Sequence, residues 1–284
     1  MRLLRTGPAG EERPAVLVDG IVRDVSSEVD DYDGAFLSSG GLDRLRSVVA
    51  ASADSLPAVG QGVRVGPPVR RPGKVVCIGL NYADHAAESG APLPTEPVVF
   101  MKDPATVVGP HDDVRIPRTS TKTDWEVELG VVIGATARYL DRVEDAAGVI
   151  AGYCVSHDVS ERHFQLERGG QWDKGKSCET FNPLGPWLVT ADEVPDPQRL
   201  NLWLRVNAEK RQNGNTSNMV FPVYELVHYL SQFMVLEAGD VVNTGTPAGV
   251  GMGMDPPTYL RAGDVVELGV EGLGEQRQTF VPAP

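Results

Sequence analysis

Three acidic side chains inside apolar, strand-like runs constrain this chain more than any other feature. They are Glu126 and Glu128 in Asp124-Trp-Glu-Val-Glu-Leu-Gly130, and Asp158 in Gly152-Tyr-Cys-Val-Ser-His-Asp158. A strand turns successive side chains to opposite faces, so Glu126 and Glu128 share one face and Val127 takes the other. Two carboxylates side by side repel, and burying them unpaired is costly. A fold that takes up these runs must leave the acids at a solvated strand edge or bring a cation to them. A hard divalent ion with an all-oxygen ligand set (Mg²⁺, Mn²⁺ or Ca²⁺) meets the second requirement. Glu-x-Glu by itself fits either outcome.

The chain has 284 residues, 41% hydrophobic and 23% charged. That composition suits one large domain, or a catalytic domain with a smaller appendage. A net charge of −13 speaks against nucleic acid or an anionic membrane as partners, though not against an anionic substrate in a local positive pocket. No apolar run approaches the roughly 18 residues of a membrane span, and the opening Met-Arg-Leu-Leu-Arg-Thr-Gly-Pro lacks an apolar signal core. Cys77, Cys154 and Cys178 are odd in number and widely spaced, which fits neither a disulfide framework nor a zinc site and points to the cytoplasm.

Residues 1–70 read as a small β-rich domain, with two short strands around Asp19-Gly20 and a helix over 42–51. Pro67, Pro68 and Pro72 mark a linker, and residues 71–284 form the catalytic domain. Alternation there predicts strands at 74–79, 97–101, 126–134, 151–156, 201–207, 240–243, 264–270 and 276–281, and helices at 82–89, 159–168 and 222–234. Leu-x-Ala-Gly-Asp-Val-Val occurs at 236–242 and 260–266, one turn-then-strand solution used twice. Strands dominate without βαβ alternation, so the predicted class is α+β.

Four constellations carry chemistry. His85 and Glu88 lie three apart on a predicted helix, where a carboxylate fixes the imidazole tautomer and makes it a better base toward water; a surface His–Glu pair has the same spacing. Asn81 stands where it can cap that helix. The acidic trio is the second. The third, Gly170-x₄-Gly175-Lys176-Ser177, matches a phosphate loop but lacks the strand before it, and Pro183 and Pro186 discourage the helix after it. Lys176 is therefore read as a cation near acids. The fourth, Asn243-Thr-Gly-Thr-Pro-Ala-Gly-Val-Gly-Met-Gly253, runs a strand into a loop whose N–H groups can approach an anion; a flexible surface loop is the other reading. His157 should point away from Asp158, and Cys178, without a base at readable spacing, is taken as structural.

Taken in order, Gly79-Leu-Asn-Tyr-Ala-Asp-His85, Pro97-Val-Val-Phe-Met-Lys102, Asp124–Val132, Gly152–Asp158, Lys174-Gly-Lys-Ser177 and Asn243–Gly251 resemble the fumarylacetoacetate hydrolase family from about residue 72 to 282. The resemblance implies a mixed β-sandwich roll, a homodimer and one divalent ion per subunit, Mg²⁺ or Mn²⁺, with Ca²⁺ as a substitute in a crystal. It implies metal ligands at Glu126, Glu128 and Asp158, a water-activating pair at His85 and Glu88, a catalytic lysine at Lys176, and substrate-side groups at Lys102, Gln165 and Thr246. Residues 160–177, 211–216 and 229–234 resemble a branch that hydrolyses 2,4-diketo-3-deoxy sugar acids from L-fucose or L-rhamnose to pyruvate and lactate. The expected activity is thus hydrolysis of a carbon–carbon bond in a small keto acid. Leu80 stands where many acylpyruvate-cleaving members carry Arg, which weakens the alternatives of an acylpyruvase or an oxaloacetate decarboxylase. A non-catalytic protein that binds a cation structurally is a further reading.

Overall fold

The computed structural model describes residues 1–88, 90 and 92–284. Its principal strands are β1 (Arg2–Thr6), β2 (Arg13–Val18), β3 (Ile21–Asp24), β4 (Val75–Gly79), β5 (Val98–Lys102), β6 (Val114–Ile116), β7 (Val127–Ile133), β8 (Ile150–His157), β9 (Asn182–Thr190), β10 (Asn201–Val206), β11 (Glu209–Asn215), β12 (Val241–Asn243), β13 (Val265–Val270) and β14 (Gly274–Pro282). The helices are α1 (Gly34–Ser38), α2 (Gly41–Ser52), α3 (Ala83–Glu88), α4 (Arg162–Leu166), α5 (Asp173–Lys176) and α6 (Val223–Ser231). An eleven-stranded sheet runs in the order β3-β2-β1-β9-β8-β7-β12-β4-β5, with two short strands beside that path; a five-stranded sheet runs β11-β10-β13-β14-β6. The large sheet is mixed, with β12 parallel to β4 and β7 antiparallel to β8. This is the strand-dominated α+β architecture that the alternation predicts.

Strand β7 shows how the fold frames a site. Val127, Leu129 and Val131 share one face and pack with Leu202, Leu204, Val266 and Leu268 of the smaller sheet. Each such side chain, fully buried, contributes about 1.5–3 kcal/mol. On the opposite face Val132 packs with Leu3, Val16 and Leu45 of the N-terminal segment. Glu128 shares that second face but sits at the other end of the strand. One face of the sheet is thus divided between hydrocarbon and carboxylate.

The segment before residue 70 joins the same sheet, where β1 pairs with β9 at Leu3↔Leu188. Its hairpin turns at Asp19-Gly20 as expected. Strand β9 has no counterpart in the sequence reading, because Pro183 and Pro186 remove two ladder donors. It nevertheless lies between β1 and β8, with a register shift between Tyr153 and Val155. Gln276 of β14 supplies donors there: its Nε2 donates to Val155 O at 2.8 Å and to Gly185 O at 3.0 Å.

The repeated motif is one turn used twice. Asp240 accepts from Glu237 N at 2.8 Å, and Asp264 accepts from Arg261 N at 2.7 Å. Each Asp N–H donates back to the same residue's carbonyl. The helix expected over 159–168 shortens to α4, because Ser160 and Glu161 pair with Asp124 and Thr123 as strand and the Glu161 side chain accepts from His163 N. The helix expected over 82–89 is α3, with Ser89 outside the described residues. The Asn81 amide is used elsewhere, donating to Phe221 O and Thr244 O and accepting from Phe221 N. No helix among the described residues is long and apolar enough to cross a membrane.

Candidate metal centre

Register brings the three acids together. Val127 pairs with His157 across β7 and β8, so Glu126 and Glu128 come beside Asp158, whose N–H donates to Glu126 O at 3.0 Å. One carboxylate oxygen from each of Glu126, Glu128 and Asp158 lies within 4.8 Å of the others, and all three side chains are buried. His157 does turn away: its Nδ1 lies 3.0 Å from Gln278 Oε1, and burial pushes its imidazolium down to about 4.

Two lysines stand among the acids. Lys176 Nζ, on α5, donates to Glu126 Oε2 at 2.6 Å and to Asp158 Oδ2 at 2.8 Å. Lys102 Nζ, at the end of β5, donates to the other Asp158 oxygen and to Val159 O. Arg162 of α4 bonds Asp124 Oδ2 at 2.8 Å and Glu126 Oε1 at 2.6 Å. Burial alone lifts the Glu126 carboxyl, but Arg162 and Lys176 overcome it and hold the group below the usual carboxylate range. Burial likewise opposes the Lys176 charge, yet Asp158 and Glu126 hold it above the ordinary lysine value.

Glu128 fares differently. It accepts one backbone N–H, from Gly245 at 2.9 Å, and has no cationic side-chain partner among the described residues. Burial first, then Asp158 and Glu126, push its carboxyl well above the usual range. A buried acid bonded to no cationic side chain among the described residues, facing two others across a space bounded by oxygens, is what a hard dication fits. With the trio ionised and both lysines counted, a dication tips the cluster to a net positive charge, which favours an anionic ligand.

Glu126 and Glu128 form part of the floor of a cavity of about 180 Å³, with His85, Arg162, Gln165, Lys176 and Thr246 also lining it. His85 Nδ1 lies 3.3 Å from Glu88 Oε2, and the Glu88 carboxylate accepts from Gly249 N. The glycine-rich loop therefore presents N–H groups to three protein carboxylates, Glu128 through Gly245, Glu88 through Gly249 and Asp124 through Gly251. Gly245 and Gly249 have positive φ, and a Cβ on Gly245 would stand 2.8 Å from that of Asn81. The Thr246 hydroxyl donates to Val127 O and accepts from Gln212 Nε2. Gln165 Oε1 accepts from Arg162.

Lys102 stands behind Asp158, bonded to its Oδ1 and to Val159 O, and is not among the residues that line the cavity. Its place next to a deeply buried carboxylate accounts for this. Arg162, Asp124, Gln212 and Trp172 emerge only from the structure. Arg162 had a legible signal, since it stands three residues before Gln165 on one helical face. The phosphate-loop pattern ends in a four-residue helix followed by β9, without the context that motif needs.

Comparisons with known proteins agree with this geometry. The family model described as fumarylacetoacetate (FAA) hydrolase C-terminal matches residues 74–281. A Burkholderia lata protein described as a hydrolase is 58% identical over 280 residues, covering 98% of each chain. Fumarylacetoacetate hydrolase from the psychrophilic Exiguobacterium antarcticum is 35% identical with a TM-score of 0.84, covering 100% of both chains. Maleylpyruvate hydrolase from Sphingobium sp. SYK-6, solved in complex with manganese(II) ion and pyruvate, is 27% identical with a TM-score of 0.83, again covering 100% of both chains. From the acidic trio to the glycine-rich loop, in sequence and in fold, the chain belongs to the fumarylacetoacetate hydrolase family.

Proposed function

We propose that this protein is a divalent-metal-dependent hydrolase that cleaves the C3–C4 bond of a 2,4-diketo acid. The substrate class is a 2,4-diketo-3-deoxy sugar acid of the L-fuconate or L-rhamnonate type, giving pyruvate and lactate. The buried trio of Glu126, Glu128 and Asp158 beside a cavity that His85 also lines is the observation that carries this reading. The manganese ion and pyruvate in the related maleylpyruvate hydrolase support it. So do the stretches 160–177, 211–216 and 229–234, on which the resemblance to the sugar-acid branch rests, while Leu80 in place of Arg weakens the acylpyruvase and decarboxylase alternatives. The reading includes a homodimer, and a cytoplasmic location consistent with three unpaired cysteines.

Glu126, Glu128 and Asp158 would hold the ion, Mg²⁺ or Mn²⁺. When bound, it supplies carbonyl polarisation and charge stabilisation for a departing enolate. His85 takes a proton from water, while Glu88 keeps the ring oriented and stabilises its charged form. The deprotonated water adds to the 4-oxo carbon. The C3–C4 bond breaks with its electron pair going to C3, and C3 takes up the proton from His85, leaving pyruvate and a carboxylic acid that ionises to its carboxylate in water. Arg162 and Lys176 hold Glu126 ionised throughout.

Assay of 2,4-diketo acids against oxaloacetate, each with Mg²⁺ and with Mn²⁺, tests the proposal. Faster loss of CO₂ from oxaloacetate than cleavage of any diketo sugar acid would replace it with a decarboxylase. Lys176→Met, measured at saturating metal, is expected to lower turnover by about 10²–10³-fold, because a preorganised cation at the floor is lost. Wild-type kinetics in that variant would return Lys176 to a purely structural role.

A further inference from the structure

Burial grades the cavity from floor to rim. Glu126, Glu128, Arg162 and Lys176 are almost wholly buried, Leu80, Trp172 and Met252 are half-buried, and Leu166 is 43% exposed. The floor is therefore charged and the rim is hydrocarbon. Trp172 is built into that rim: its ring stands edge-on to Phe100 with centroids 5.5 Å apart, over a glycine. A Cβ at Gly79 would lie 2.7 Å from the Trp172 ring, so any side chain there displaces the indole.

Among the described residues that line the cavity, the lysine and arginine side chains are Arg162 and Lys176. Both are committed, Arg162 to Asp124 and Glu126, and Lys176 to Glu126 and Asp158. His85 is bonded to the acid Glu88. A charge on the tail of a bound substrate would thus give up part of its hydration against Leu80, Phe100 and Trp172 and meet no uncommitted cation among these residues. Burying an unpaired carboxylate against hydrocarbon is strongly unfavourable. The volume of about 180 Å³ is also small beside the roughly 300–1,000 Å³ of drug-sized pockets.

We propose that the protein selects 2-oxo acids whose sole charge is the carboxylate at the floor and whose tail is short and neutral, and that it rejects diacids, with Leu166 and Trp172 as the specificity-determining side chains. This deepens the hydrolase reading and rests on it for the orientation of the substrate. It separates that activity from one on diacids, whose second carboxylate needs a cation at the rim.

Two ligands of equal chain length, 2-oxoheptanoate and 2-oxoheptanedioate, lack the 4-oxo group and escape cleavage, so their binding to the Mn²⁺-loaded protein can be measured by calorimetry. The monoacid is expected to bind at least about 30-fold more tightly. Leu166→Arg, which brings a cation to the rim, is expected to raise the diacid-to-monoacid affinity ratio about 10-fold. Equal binding of the two ligands by the unaltered protein overturns the proposal, and an unchanged ratio in Leu166→Arg overturns the rim assignment. Turnover of 2,4-dioxoheptanoate is read separately. A monoacid preference without cleavage sinks the hydrolase reading and leaves the selectivity standing.

Discussion

Glu128→Ala is expected to weaken divalent-metal binding by more than about 100-fold, beyond the 10–100-fold typical of residues that merely support a ligand. The reason is the asymmetry of the trio. Glu126 and Asp158 already have ammonium or guanidinium partners, whereas Glu128 has one backbone N–H and two acidic neighbours. Its carboxyl is raised above the ordinary 4.5, by burial first and then by Asp158 and Glu126. A raised acid holds its proton more tightly in the folded state than in the unfolded chain. In metal-free protein its contribution to stability is therefore present below the ordinary value and lost as pH climbs through the folded-state value. A dication binds the ionised form, so metal affinity should rise with pH across that same window. Thermal melts in chelator should show Glu128→Gln losing less stability than wild type as pH rises. Titration calorimetry supplies the direct measurement, and unaltered metal affinity in Glu128→Ala would count against the trio as ligands.

His85→Ala should retain metal binding and lose hydrolysis by about 10²–10⁴-fold, the contribution of a positioned general base. The imidazole is held through a short chain, His85 to Glu88 to the N–H of Gly249, that ties α3 to the glycine-rich loop. Gly253 packs against the same carboxylate, where an added Cβ would stand 2.5 Å from Glu88 Cδ. Single-turnover rates at saturating Mn²⁺ separate the chemical step from metal loading. A His85→Ala rate equal to wild type would remove His85 from the chemistry. A rate lost together with the metal would assign it to the ligand shell instead.

Much of the fold is legible from alternation. The runs at 126–134, 151–156, 201–207 and 264–270 correspond to β7, β8, β10 and β13 within two residues at each end. The repeated Leu-x-Ala-Gly-Asp-Val-Val encodes its turn locally, because the aspartate reaches back only three residues. Strand β9 is illegible for the opposite reason. Its prolines argue against a strand on local grounds, and the amide of Gln276 that serves its neighbourhood comes from β14. Helix α4 is over-read because Ser160 and Glu161 have a strand partner that no local pattern reveals.

Sequence by itself determined which carboxylates share a face, since period-two alternation is a property of the backbone. It also singled out His85 and Glu88, whose helical spacing brings them together without help from distant segments. Only the tertiary structure decided which charges those acids meet. Lys102, Arg162, Lys176 and the Gly245 amide reach the trio from β5, α4, α5 and the loop after β12. Strand order and register set such encounters, and side-chain periodicity carries no information about either. That is why Glu128, identical to Glu126 in the sequence pattern, becomes the one member of the trio without a cationic side-chain partner among the described residues.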